Sequence, residues 1–130
     1  MKFVIINGPN LNMLGVREPD KYGNETYEQL VSKIRQHCKE NDIDAEFYQS
    51  NHEGDLVDRI QKAYYDRADA IVINPGAYTH TSIALLDALK SVSLPTAEVH
   101  ISDLSVREEF RQISYIRQAC CFTVAGIGTD

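Results

Sequence analysis

Short runs of β-branched and aromatic residues alternate with longer amphipathic runs along the whole 130-residue chain. That alternation constrains the fold more than any composition figure does. KFVIIN (2–7) is the first β-type run, ended by Gly8-Pro9. A long loop rich in Gly, Pro and Asn follows from 8 to 24. Thr26 and Gln29 then stand at capping-box spacing, with Leu30, Ile34 and Cys38 on one helical face, which predicts a helix over 25–41 closed by Asn41. IDAEFYQS (43–50) alternates as a strand. Asp55 to Arg67 reads as a helix with Leu56, Ile60, Ala63 and Tyr64 inward. DAIVINPG (69–76) is nearly continuously apolar, as a strand buried on both faces must be. Thr81 to Val92 carries Ile83, Leu86 and Leu89 at helical spacing, and PTAEVHIS (95–102) is a fourth strand. Ser105 and Glu108 form a second possible capping box opening a short helix near 106–118, and CFTVAGIG (121–128) is the fifth strand.

The order βαβαβαβαβ implies a parallel sheet with right-handed crossovers. Five strands predict an α/β, flavodoxin-like, doubly wound sheet forming one domain over 1–130. In such folds the ligand site lies beyond the carboxyl ends of the strands. With 43% apolar and 25% charged residues, the chain has the balance of a soluble globular protein, and it contains no uninterrupted apolar run long enough for a membrane span. The apolar run in MKFVIINGPN is too short for a secretory signal. A net charge of -6 without a basic run argues against nucleic acid and anionic lipid. Cys38, Cys120 and Cys121 match neither a disulfide framework nor a CxxC pair, and suggest a reduced, cytoplasmic protein.

Three strand-end loops gather chemistry. The segment 7–23 is too long for a routine βα connection and reads as a functional loop or lid; it carries Asn10, Asn12, Arg17 and Tyr22. The segment 74–82 carries Asn74 and His80 before a helix N-terminus that offers N–H groups to an anion. The segment 98–103 carries Glu98 and His100 and is followed by Arg107 and Arg111. Glu98 and His100, two apart on a strand, share a face, so the carboxylate can orient the imidazole and favour its charged form, suiting a general acid. A surface salt pair is the plainer reading. A tyrosine held among arginines can lose its proton more readily and act as a base; a rim tyrosine beside a solvated arginine is the alternative. Arg107 and Arg111, four apart on one short helix, suit a carboxylate or phosphate, or else they pair with Asp103, Glu108 or Glu109. His80 suits a ligand hydroxyl or a structural cap. There is no GxGxxG, no P-loop, no flavin phosphate cradle and no acidic cluster after the first strand. His80, Glu98 and His100 lack a tight metal-ligand spacing.

INGPNLNMLGVREPDKYG (6–23), QSNHEG (49–54), INPGAYTHTSIALLDAL (73–89) and EVHISDLSVREEFR (98–111) together resemble the type II 3-dehydroquinate dehydratases, in order and over nearly the whole chain. The resemblance implies a flavodoxin-like lyase that reversibly dehydrates 3-dehydroquinate to 3-dehydroshikimate by anti elimination through an enolate. It implies no metal, no organic cofactor and no Schiff base. Tyr22 is then the base, Arg17 lowers its pKa with help from Arg107, and Asn10 holds a water at the enolate oxygen. His100, backed by Glu98, protonates the departing hydroxyl. Asn74, His80, Arg111 and the backbone at Ile101 and Ser102 hold the substrate, and Asp87 reaches the site of a neighbouring subunit in a homo-oligomer, a dodecamer built from trimers. Asp103 stands where the family often has Asn. The Gly-Tyr and final helix usual in the family do not follow the fifth strand here. A binding module that keeps the fold without the activity, and a metal-assisted hydrolase using His80 and His100, are the competing expectations.

Overall fold

Alternate residues of a strand face opposite ways, so a sheet with helices on both sides needs apolar residues at every position of its central strands. Val4, Ile5 and Ile6 of the first strand, and Ile71 and Ile73 of the third, are all buried. The computed structural model describes residues 1–16, 20, 24–101, 107–126 and 128. Its strands are β1 (Lys2–Asn7), β2 (Asp44–Gln49), β3 (Ala70–Asn74), β4 (Thr96–His100) and β5 (Phe122–Ala125). They form one parallel sheet in the order β2-β1-β3-β4-β5. The helices are α1 (Tyr27–Glu40), α2 (Glu53–Tyr65) and α3 (Ile83–Val92). This is the doubly wound, flavodoxin-like sheet expected from the alternation, with its switch point between β1 and β3.

The helix boundaries follow local chemistry. Thr26 Oγ1 accepts from Gln29 N–H at 3.2 Å while Gln29 Oε1 accepts from Thr26 N–H at 2.8 Å, a complete capping box. Asn41 closes α1, its amide donating to His37 O at 2.8 Å. Ser82 Oγ accepts from Leu85 N–H at 3.0 Å and starts α3.

On one face of the sheet, Val4, Ile6, Ile71 and Ile73 pack against Leu56, Ile60 and Ala63 of α2 and Leu85, Leu89 and Val92 of α3. Two residues expected inward are not there. Tyr64 is exposed and stacks edge-on with Tyr65, and Ile83 is exposed because the apolar stripe of α3 runs through Leu85, Leu86 and Leu89. The opposite face meets α1, where Phe3, Ile5, Val72, Val99 and Val124 line an apolar groove of about 390 Å³ with Leu30, Ile34 and Cys38.

The expected helix over 106–118 does not form among its described residues. Residues 107–119 hold two short 3₁₀ turns instead, Glu109–Arg111 and Ile116–Ala119. Between them the chain is tied sideways: Tyr115 N–H donates to Thr79 O at 2.9 Å. No helix of the described residues is long and apolar enough to cross a membrane.

Candidate active site

The carboxyl ends of β1, β3 and β4 place the proposed site residues. β1 and β3 end in register on Asn7 and Asn74, and the two loops beyond them are fastened together. Gly8 N–H donates to Asn74 O at 2.7 Å, and a Cβ at Gly8 would stand 2.4 Å from Pro75 O, so only glycine fits this approach. Asn74 Oδ1 accepts from Gly76 N–H at 3.1 Å and shapes the turn that delivers His80. Asn10 lies in the left-handed region at φ 70°, where Asn is tolerated, and its backbone N–H donates to Asn51 Oδ1 at 3.0 Å. Leu11 and Leu14 are buried with Leu30 and Ile101. These contacts tie residues 8–16 to the sheet edge and to α1. Arg17, Tyr22 and Ser102 lie outside the described residues.

β4 supplies the centre of the site. His100 Nε2 lies 2.8 Å from Glu98 Oε1, and both side chains are buried, Glu98 completely. They face the same way because they are two apart on a strand, as expected. The carboxylate has two further partners: Ser114 Oγ donates to Oε2 at 2.7 Å, and Arg117 donates to Oε1 from Nη2 at 2.9 Å and from Nε at 3.3 Å. Burial by itself pushes the Glu98 carboxyl up. The hydrogen bonds from His100, Ser114 and Arg117 outweigh it and hold the group at about 2. Glu98 is thus a fixed anion that receives His100 Nε2–H and sets the ring's orientation.

His80 is the second imidazole. Its Nδ1 lies 2.7 Å from Ile113 O; a carbonyl only accepts, so Nδ1 carries the proton. Burial pulls the ring below its ordinary pKa, the hydrogen bond to Ile113 O opposes this, and the charges of His100, Arg111 and Arg107 pull further down. A neutral His80 protonated on Nδ1 has an unprotonated Nε2, suited to accept from a ligand hydroxyl.

Arg107 and Arg111 do not sit on one side of a helix. Both approach the Glu108 carboxylate, at 3.8 and 2.9 Å, which is the pairing alternative raised by the sequence. The Arg111 contact is close but misaligned, and its buried Nε–H has no acceptor in line. A guanidinium held by one carboxylate through a poor hydrogen bond keeps donors to offer an anion. Ile101 is buried and its carbonyl accepts from Gly128 N–H at 3.2 Å. Asp87 lies on the exposed side of α3, apart from the Glu98–His100 pair's partners.

The sequence reading missed Thr79, Ile113, Ser114 and Arg117. Thr79 Oγ1 and Ser114 Oγ lie 2.9 Å apart, which links the β3 turn to Glu98. The only available signal was indirect: a glutamate in the middle of a buried strand needs a counter-charge. Burial, then the Glu98 charge, pushes the Cys120 thiol up to about 12, and its Sγ lies 3.3 Å from Ile116 O. Among the described residues no group of three or more His, Cys, Asp or Glu side chains is placed to hold a metal ion.

A doubly wound sheet with a carboxylate-backed histidine at its carboxyl edge, ringed by arginines and a second, neutral histidine, defines an α/β enzyme for proton-transfer chemistry on a small anion. The chain matches the family described as "Dehydroquinase class II" over residues 1–130 and belongs to it. The 3-dehydroquinate dehydratase of Caldicellulosiruptor bescii is 51% identical over 127 residues, covering 98% of this chain and 88% of that protein. The crystal structure of the type II dehydroquinase from Butyrivibrio crossotus superposes with a TM-score of 0.98 at 55% identity, covering 99% of this chain and 90% of that one. That of the Propionibacterium acnes type II dehydroquinase gives 0.94 at 39% identity, over 98% and 88%.

Proposed function

We propose that this chain performs its family's dehydration, taking 3-dehydroquinate to 3-dehydroshikimate through an enolate, with the residues assigned as follows. Tyr22, its phenolate favoured by Arg17 and Arg107, removes a proton from the carbon next to the ketone. A water on Asn10 stabilises the enolate oxygen. The enolate reforms the ketone and expels the hydroxyl group, which leaves as water after taking a proton from His100. Glu98 keeps the His100 ring in the orientation for that transfer. Asn74, neutral His80, Arg111 and the backbone at Ile101 and Ser102 hold the hydroxyls and carboxylate. The assignment invokes no metal or organic cofactor, since preorganised hydrogen bonds can stabilise an enolate.

The observation that carries this reading is the wholly buried Glu98 carboxylate bonded to His100, with His80, Arg107 and Arg111 nearby. A buried ion held at such a cost in solvation is arranged for chemistry more often than for stability. The exposed place of Asp87 on α3 suits the reading in which it reaches a neighbouring subunit of a dodecamer of trimers. A solution mass measurement checks that assembly. The step serves aromatic biosynthesis or quinate breakdown, and the reading puts it in the cytoplasm.

The test is ultraviolet absorbance on adding 3-dehydroquinate, since the product is a conjugated enone. A steady rise that survives exhaustive chelation is expected. A flat trace from folded protein refutes the enzyme reading, and loss of the rise on chelation revives the metal-assisted one.

A further inference from the structure

Glu98 is wholly buried, and an isolated carboxylate there would take up a proton sooner than remain charged. Its hydrogen bonds show how it stays charged. Oε2 is occupied by Ser114, and Oε1 is shared between His100 Nε2 at 2.8 Å and Arg117 Nη2 at 2.9 Å. Arg117 reaches this oxygen from the solvent side of the second 3₁₀ turn, with its own side chain about half exposed at 48%. The two cationic partners differ in kind. A guanidinium keeps its charge at every working pH, whereas an imidazolium loses its charge when it donates its proton.

We propose that Arg117 is a positioning residue for the dehydration: it supplies the permanent counter-charge to Glu98, so that His100 can give up its proton without leaving a buried carboxylate unpaired. This rests on His100 being the proton donor. If His100 were the sole cation facing Glu98, each proton transfer to the leaving hydroxyl would strand the anion, and the proton would be held back. With Arg117 in place the carboxylate is neutralised before and after the transfer, and Glu98 orients the ring without retaining its proton. Ser114 completes the arrangement by fixing the other oxygen, itself held by Thr79 on the β3 turn.

Among the described residues, further groups lie around the pair and stay constant in the comparison. They are the Cys120 thiol beside Glu98, the His80 imidazole with Arg107 and Arg111 behind it, and His37 and Cys38 of α1 across the groove that His100 also lines.

The experiment compares Arg117→Gln and Arg117→Lys with the unsubstituted protein. The His100 ring is titrated by proton NMR in the unliganded protein, its resonance identified by its loss in His100→Asn. Arg117→Gln is expected to move the His100 midpoint upward by about one pH unit, since removal of a nearby cation favours imidazolium. It is also expected to lower kcat about tenfold with KM changed less than about twofold, and Arg117→Lys is expected to restore most of both. An unmoved His100 midpoint in Arg117→Gln overturns the proposal, as does an Arg117→Lys protein no better than Arg117→Gln. The titration needs no substrate. A protein that titrates as expected but does not turn over 3-dehydroquinate therefore supports the effect of Arg117 on His100 and refutes the assignment of function separately.

Discussion

Replacing Glu98 by glutamine should change the acid sensitivity of the whole fold. The side chain keeps its shape and loses its charge. In the folded protein the Glu98 carboxyl is held at about 2, against 4.5 for an ordinary glutamate. A folded value below the unfolded one means that the ionised group stabilises the fold above pH 4.5 and loses that effect as the pH falls through 4.5 toward 2. The difference amounts to about 3 kcal/mol at neutral pH. Glu98→Gln lacks this contribution at every pH. Urea denaturation of both proteins, followed by circular dichroism at pH 7, 4, 3 and 2.5, reads it directly. At pH 7 the unsubstituted protein should be more stable by about 3 kcal/mol, and the gap should shrink to under about 1 kcal/mol at pH 2.5. A gap that stays constant over this range refutes the argument that the hydrogen bonds from His100, Ser114 and Arg117 outweigh the burial of Glu98.

Gly8→Ala should lower thermal stability by at least about 2 kcal/mol, because the new methyl meets the Pro75 carbonyl and forces apart the two loops that carry Asn10 and His80. A melting temperature within a degree of the original would contradict that. Tyr22→Phe should cut turnover by about a hundredfold or more and leave substrate affinity largely intact, as loss of a general base does. Near-normal turnover would remove Tyr22 from the role.

The elements that local sequence determines were legible. β1 and β3 announce themselves by unbroken β-branched runs, and α1 by the Thr26–Gln29 capping box that the structure contains. The Glu98–His100 pairing was legible too, since strand geometry alone puts alternate residues on one face. The segment after Arg107 was not. Ser105 and Glu108 have the spacing of a capping box, yet the Glu108 carboxylate turns to Arg107 and Arg111, and Tyr115 spends its N–H on Thr79 rather than on a helix. Tertiary bonds of long sequence separation win there over a modest local preference. Arg117 was invisible for the same reason: nothing near it in the chain says that a buried carboxylate lies within its reach.

The strand order also dictates when the site can come into being. β1 lies between β2 and β3, and Phe3 and Asn7 pair with Ala70 and Asn74 across most of the first half of the chain. During synthesis the opening strand must wait unflanked on that side until residue 74 has emerged. Only after β4 joins β3 does the Glu98–His100 pair acquire the floor it stands on. Such distant pairings close large loops and make folding slow relative to chains built from local contacts. Catalytic competence is therefore among the last properties the folding chain acquires, and hydrogen-exchange labelling should see β1 protected late even though it is made first.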